Sequence, residues 1–360
     1  MSKPQPPHDL LALTAELVDI PSESRDEAAI TAHLEAALRS QRHLHVDRVG
    51  DNLVARTELG RPQRIVLAGH TDTVPAADNA QARIEGDTLW GLGAADMKGG
   101  LAVMLELART MTTPAVDVTY VFYAREEIDA ASSGLGELFR ARPDLLAGDA
   151  AILGEPTAAT FEAGCQGTMR LEVELVGRRA HTARPWMGAN AVHRLGKLLA
   201  LVDSIPERRP MIQGCEYREA LQAVFVEGGV AGNVVPDRAL VTLNHRFAPD
   251  RSADEAEAAV RDLLAPVLGE GDRLERIEMA NAAPPGLDHP LLAALAGRHD
   301  LEIRAKLGWT DVARFAAAGV PAVNFGPGDS TFAHRADEHV ERDYLDATWF
   351  VLADLLERGV

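Results

Sequence analysis

The chain has 360 residues, 46% hydrophobic and 25% charged, an ordinary globular composition that excludes a disordered or collagen-like chain. Its length suits two domains or slightly more. Lys and Arg number 36 against 54 Asp and Glu, a formal net charge of −18, which opposes binding to nucleic acid and to anionic membranes.

Residues 1–9 (MSKPQPPHD) contain no apolar run of the signal-peptide kind, and no stretch of eighteen apolar residues follows. The expectation is a cytoplasmic protein with no membrane span. Asp9–Ile20 and Arg25–Ser40 read as amphipathic helices separated by Pro21, which cannot continue the first. Arg64–His70 (RIVLAGH) is a short apolar run of the kind found in buried parallel strands. Met97–Met111 reads as a helix, Val118–Arg125 as a strand, Ser132–Arg140 as a helix and Ala150–Leu153 as a strand. This alternation predicts a layered α/β domain with ligands bound at the strands' C-terminal ends.

The texture changes near Thr168. Met169–Val176, Ala220–Glu227, Ala239–Phe247 and Arg273–Met279 read as strands, and Asn190–Ser204 and Ala253–Leu268 as helices. The order β-α-β-β-α-β predicts a ferredoxin-like sandwich. The α/β texture resumes after residues 282–286, so residues 168–282 read as an insertion into a domain built from 1–167 and 283–360. Residues 170–218 hold nine Arg or Lys against five acids, a balance that attracts a small anion and is too sparse to track a phosphate backbone. Two cysteines, Cys165 and Cys215, exclude a disulfide scaffold and a Cys-ligated zinc finger; both read as buried or idle thiols.

Chemistry-bearing residues gather at the predicted strand ends. GHTDTVP (69–75) offers His70 as a metal ligand, with Asp72 placed to hold its other ring nitrogen. GAADMKGG (93–100) sets Asp96 between glycines at the start of a helix, Glu126 and Glu127 follow the strand VTYVFYAR, GEPT (154–157) carries Glu155, and His334 lies near the C-terminus. Two imidazoles and three carboxylates at one sheet edge suit a pair of divalent zinc ions, one carboxylate bridging them. Of the adjacent acids, one then ligates and the other is left as a general base.

This ordered set resembles the M20 family of dinuclear zinc amidohydrolases and exopeptidases, over nearly the whole chain. The resemblance implies a zinc-hydrolase-type α/β/α catalytic domain carrying an inserted ferredoxin-like α+β domain that serves as lid and dimerisation surface. It implies two zinc ions per subunit, with cobalt or manganese as substitutes. Asp96 would bridge them, His70 and Glu155 completing one site and Glu127 and His334 the other. Glu126 would be the general base, and Asp72 would orient His70. His181 is implied as an oxyanion-stabilising residue reaching the site of the partner subunit. Asn233 and Arg246 would grip substrate carboxylates, and Gly167, Thr168 and Thr310 would line the pocket.

The segments GCQGTMR (164–170), AHTARPW (180–186), GNVVP (232–236), HRF (245–247) and GWTD (308–311) are most similar to those of family members that release succinate from N-succinyl-L,L-2,6-diaminopimelate in lysine biosynthesis. A small anionic N-acyl amino acid is thus the implied substrate, with deacylation of acetylornithine or another N-acyl amino acid, or carboxypeptidase action, as the alternative. Glu155, where the aminopeptidase branch has Asp, agrees with the deacylase and carboxypeptidase branches. A non-catalytic binding protein of the same shape is disfavoured, because all five ligands and Glu126 are present. The chain departs from the family pattern at Gly91-Leu92-Gly93, where Gly-Arg-Gly is commoner, and at Cys165-Gln166, where known desuccinylases carry adjacent arginines.

Overall fold

A computed structural model describes residues 6–359. The chain divides into two compact units, a larger one of residues 1–163, 285–304 and 314–360 and a smaller one of residues 164–284 and 305–313.

The larger unit is α/β. Its mixed sheet runs in the order His45–Val49, Asn52–Arg56, Asp117–Tyr123, Arg64–His70, Ala150–Leu153, Ala322–Asn324, Phe161–Ala163, Ile303–Ala305. Arg64–His70 is parallel to both neighbours, and Ala322–Asn324 is parallel to Ala150–Leu153. Alternation puts Ile65, Leu67, Tyr120 and Phe122 into one core with the helices Leu10–Val18, Gly99–Thr110 and Arg342–Arg358. Val66, Ala68, Val121 and Tyr123 point to the opposite face, so every residue of Asp117–Tyr123 is buried.

Several element ends differ from the sequence reading for local reasons. The first helix is Leu10–Val18, because Asp9 caps it by accepting from the Leu11 and Ala12 amides. The second starts at Ala28, since Arg25 has φ +81°. The third starts at Gly99; Asp96 has an extended-type backbone (φ −123°, ψ 95°) and does not cap it.

The smaller unit is a four-stranded antiparallel sheet in the order Ala220–Gly228, Arg238–Phe247, Gly167–Val176, Arg273–Ala280. Numbered along the chain, that is the 4-1-3-2 arrangement of a ferredoxin-like sandwich. Met169, Leu171, Val173 and Leu175 pack with Leu195, Leu198 and Val260 of the helices Ala191–Asp203 and Ala253–Leu264. Asn190 caps the first helix and a Ser252–Glu255 capping box opens the second. The second stops before the expected Leu268 because Pro266 has no amide to donate. Residues 305–313, read from sequence as part of the larger domain, group with this unit: Gln166 N–H donates to the Lys306 carbonyl at 3.2 Å and the Cys165 thiol to that of Thr310 at 3.7 Å. Both cysteines are free and buried, and burial pushes the Cys165 thiol up to about 11. Among the described residues, no helix is long and apolar enough to cross a membrane.

Candidate active site

Three neighbouring parallel strands deliver acids and a histidine to one edge of the larger unit's sheet. His70 ends its strand, Glu126 and Glu127 lie just past Asp117–Tyr123, and Glu155 lies just past Ala150–Leu153. His70 is only 1% exposed, and its Nε2 is 3.0 Å from Asp96 Oδ1. His334 Nε2 is 2.8 Å from Glu127 Oε1 and 3.6 Å from Asp96 Oδ2. Asp96 therefore turns one carboxylate oxygen toward each imidazole. Ligand atoms of His70, Asp96 and Glu127 all lie within 4.8 Å of one another. Glu155 is buried and close enough to act electrostatically on His70.

The charges explain what such a cluster is for. Burial alone would make His70 harder to protonate, yet the hydrogen bond and charge of Asp96, with Glu155 and Asp72 behind it, hold its pKa well above the usual value. The hydrogen bond that His334 donates to Glu127 raises its pKa to about 9. Gathered carboxylates thus make both imidazoles bind protons in the metal-free protein. Divalent cations would replace those protons, and a set of two imidazoles and three carboxylates, one with its oxygens turned both ways, fits a pair of them.

Asp72 differs in detail from its expected role. His70 Nδ1 is 2.9 Å from the main-chain carbonyl of Asp72, whereas the Asp72 carboxylate is 3.7 Å away. The carbonyl accepts from Nδ1–H, which leaves Nε2 as the ring atom to be offered to a cation once its proton is lost. The carboxylate is engaged elsewhere: Oδ1 accepts from the Glu126 amide at 2.9 Å, and Oδ2 from the Glu127 amide at 3.1 Å and the Ser24 hydroxyl at 2.7 Å.

Two further residues escaped the sequence reading. Glu338, four residues beyond His334, accepts from the Ala95 and Asp96 amides at 3.1 Å each, and burial lifts its pKa to about 7. Lys98 is buried, donates to the Ile20 carbonyl at 2.8 Å, and is lowered by burial to about 8. Neither has a local pattern of its own; the only signal was proximity to His334 and Asp96. The glycines after Asp96 serve the chain itself: a Cβ on Gly100 would strike the Gly154 carbonyl.

The remaining candidates belong to the smaller unit. His181 is exposed, its Nδ1 accepts from the Ala183 amide at 3.0 Å, and it bridges to Val234. Asn233 is exposed next to it, its carbonyl accepting from the Thr182 amide at 3.1 Å. Arg246 pairs in register with Thr168, is partly buried, and has its pKa lowered by burial and by nearby Arg170. Thr310 is buried. Gly167 lies under the ring of Phe247, where any Cβ would collide with it, so packing alone accounts for the glycine.

The family model described as peptidase family M20/M25/M40 matches residues 66–358. The chain belongs to this family. It is 52% identical over 351 residues to the Mycobacterium tuberculosis protein named DapE, with 97% of each chain covered. It is 44% identical over 338 residues to a protein of Corynebacterium glutamicum named succinyl-diaminopimelate desuccinylase, covering 92% of this chain and 91% of that one. Among solved structures, a Staphylococcus aureus tripeptidase superposes with a TM-score of 0.78 at 21% identity over 97% of each chain. At that identity it speaks for the fold alone.

Proposed function

We propose that this M20 protein hydrolyses N-succinyl-L,L-2,6-diaminopimelate to succinate and L,L-diaminopimelate, a reaction of lysine biosynthesis. The observation that carries the reading is its 44% identity, over more than nine-tenths of both chains, to the Corynebacterium protein named for that activity. We place it in the cytoplasm, where Cys165 and Cys215 stay reduced.

We assign the cluster to two zinc ions per subunit, replaceable by cobalt or manganese. Asp96 would be shared by both, with His70 and Glu155 completing one site and Glu127 and His334 the other; the two-sided placement of the Asp96 oxygens supports this division. Such a pair supplies Lewis-acid polarisation of the amide carbonyl and makes water more acidic. The chain's own residues do the rest. Glu126 takes a proton from the attacking water and delivers it to the amine nitrogen as the C–N bond breaks. His181 is held by the Ala183 amide at Nδ1, so its neutral ring keeps the proton on Nε2. We read that N–H as the donor to the carbonyl oxygen as negative charge develops, worth about 3–4 kcal/mol for a well-placed donor. Arg246 and Asn233 are read as contacts to substrate carboxylates, the arginine by its two-pronged fork. Gly167, Thr168 and Thr310 are read as pocket residues.

We also propose a homodimer formed through the smaller unit, with His181 serving the site of the partner subunit. Supporting it, the edge strand Ala220–Gly228 exposes Phe225 at 69% and Val226 at 57%, an apolar edge of the kind that pairs with another strand.

The test is hydrolysis of succinyl-diaminopimelate, acetylornithine and acetylcitrulline by the zinc-loaded enzyme. The first is expected to give the highest kcat/KM; a higher value for acetylornithine replaces the desuccinylase reading with a deacetylase one.

A further inference from the structure

The Asp72 carboxylate ties together three segments that are remote in sequence. It is 1% exposed, and its two oxygens accept from the amides of Glu126 and Glu127 and from the hydroxyl of Ser24. Ser24 is not placed there by its side chain alone. Its amide donates to the Thr73 carbonyl at 3.1 Å, and the Thr73 amide donates to the Ser22 carbonyl at 2.9 Å. This short pairing fixes residues 22–24 alongside the His70–Thr73 loop. The hydroxyl's other acceptor, the Thr73 carbonyl, is more distant at 3.5 Å.

The segment that receives this support needs it. Arg125, directly before the acid pair, has φ +61°, a left-handed conformation that a residue with a Cβ keeps only when its surroundings hold it. Its own guanidinium anchors one side, Nε to the Ser132 carbonyl at 2.8 Å and Nη2 to Glu137 at 2.7 Å. Asp72 anchors the other side, through the next two amides.

We propose that Ser24 is a positioning residue for the acid pair, acting through Asp72. Its hydroxyl holds the carboxylate in the rotamer that gives one oxygen to each amide, and so sets where Glu126 and Glu127 stand. Without it, the carboxylate keeps only the two amide donors, and both are on the segment that needs fixing. One lost hydroxyl then has two separate effects, weaker ligation by Glu127 and a misplaced proton acceptor at Glu126. The inference rests on the roles proposed above for those two acids.

The test uses the full-length protein with Ser24→Ala and Ser24→Thr. In chelator competition with cobalt(II), Ser24→Ala is expected to bind the metal about 10-fold more weakly, the usual scale for losing a partner behind a ligand. The cobalt absorption band should change with it, and Ser24→Thr, which keeps a hydroxyl, should restore both. In turnover, Ser24→Ala should lower kcat about 10-fold with little change in KM, and this loss should vanish in a Glu126→Gln background, where the group it places is gone. Unchanged cobalt affinity, a threonine variant as defective as alanine, or a kcat loss of equal size in the Glu126→Gln background each overturns the proposal. The cobalt measurement needs no substrate, so it decides the point even if no compound in the hydrolysis panel is turned over.

Discussion

The two largest sheets of this chain are finished to different degrees. In the larger unit, Asp117–Tyr123 is buried at every position, with side chains packed on both faces. In the smaller unit, Gly167–Val176 alternates between buried and more open positions, and the edge strand Ala220–Gly228 is exposed at all but one residue. A sheet covered on both faces offers a ligand only its strand ends, and there the histidines and carboxylates gather. A sheet covered on one face still has a face and an edge to give to another molecule. The proposed chemistry thus falls in the first unit and the proposed assembly in the second.

That division can be broken experimentally, most drastically at the strand ends. Dialysis against a strong chelator should abolish turnover and zinc should restore it; elemental analysis of a fully active sample without divalent metal would remove the metal centre. Glu126→Gln should lower kcat by about 10²–10⁴ while metal content stays near that of the parent. Loss of metal in this variant, with both ions kept in Glu127→Gln, would exchange the roles of the two acids.

Assembly is tested next. Phe225→Asp on the edge strand should shift the protein from dimer to monomer in sedimentation velocity, and a variant that stays dimeric moves the interface elsewhere. Glu126→Ala and His181→Ala should each be nearly inactive alone. After co-refolding equal amounts, random pairing makes about half the dimers mixed, each with one intact site if His181 acts in the partner, so about a quarter of parental activity returns. A mixture that stays inactive despite proven exchange places His181 in its own subunit's site.

Smaller effects sharpen the picture. Arg246→Lys should raise KM about 10-fold, because an ammonium cannot reproduce a planar two-pronged contact; an unchanged KM would make Arg246 a residue of the sheet surface only. The metal centre should also be linked to pH. His334 is raised from 6.5 to about 9 by Glu127, so the metal-free protein binds an extra proton there between those values. Loading near pH 8 should release that proton, and apparent metal affinity should climb as pH rises toward about 9. The stability that the His334–Glu127 contact gives the metal-free protein has its own sign: it is complete below 6.5 and fades as pH rises through about 9. Calorimetry in buffers of different ionisation enthalpy measures the proton count; a count of zero would contradict the raised value.

Much of this molecule is legible in its sequence where elements are long. The helices Leu10–Val18, Ala191–Asp203 and Ala253–Leu264 carry both a periodic apolar face and a capping residue. Three-residue strands such as Phe161–Ala163, Ala322–Asn324 and Thr88–Trp90 are too short to display a period, and the sequence reading passed over them. At the site, His70, Glu126, Glu127 and Glu155 stand out because they interrupt apolar strand ends. The hydrogen bonds behind them do not stand out. Ser24 meets Asp72 across 48 positions and Glu338 meets Asp96 across 242, and no local pattern records such contacts. The Asp72 carbonyl, which holds His70, is invisible for another reason: every residue has one.

The strip of residues 305–313 that groups with the smaller unit has a consequence for how the chain can be cut. With it, the polypeptide passes from one unit to the other four times, near residues 163, 284, 304 and 313. A protease that nicks one of these crossings leaves the halves threaded together by the others. A gene fragment encoding residues 164–284 alone would lack the carbonyls of Lys306 and Thr310 that receive the Gln166 amide and the Cys165 thiol. The smaller unit is therefore no removable cassette, and a graft into another scaffold must carry both of its pieces.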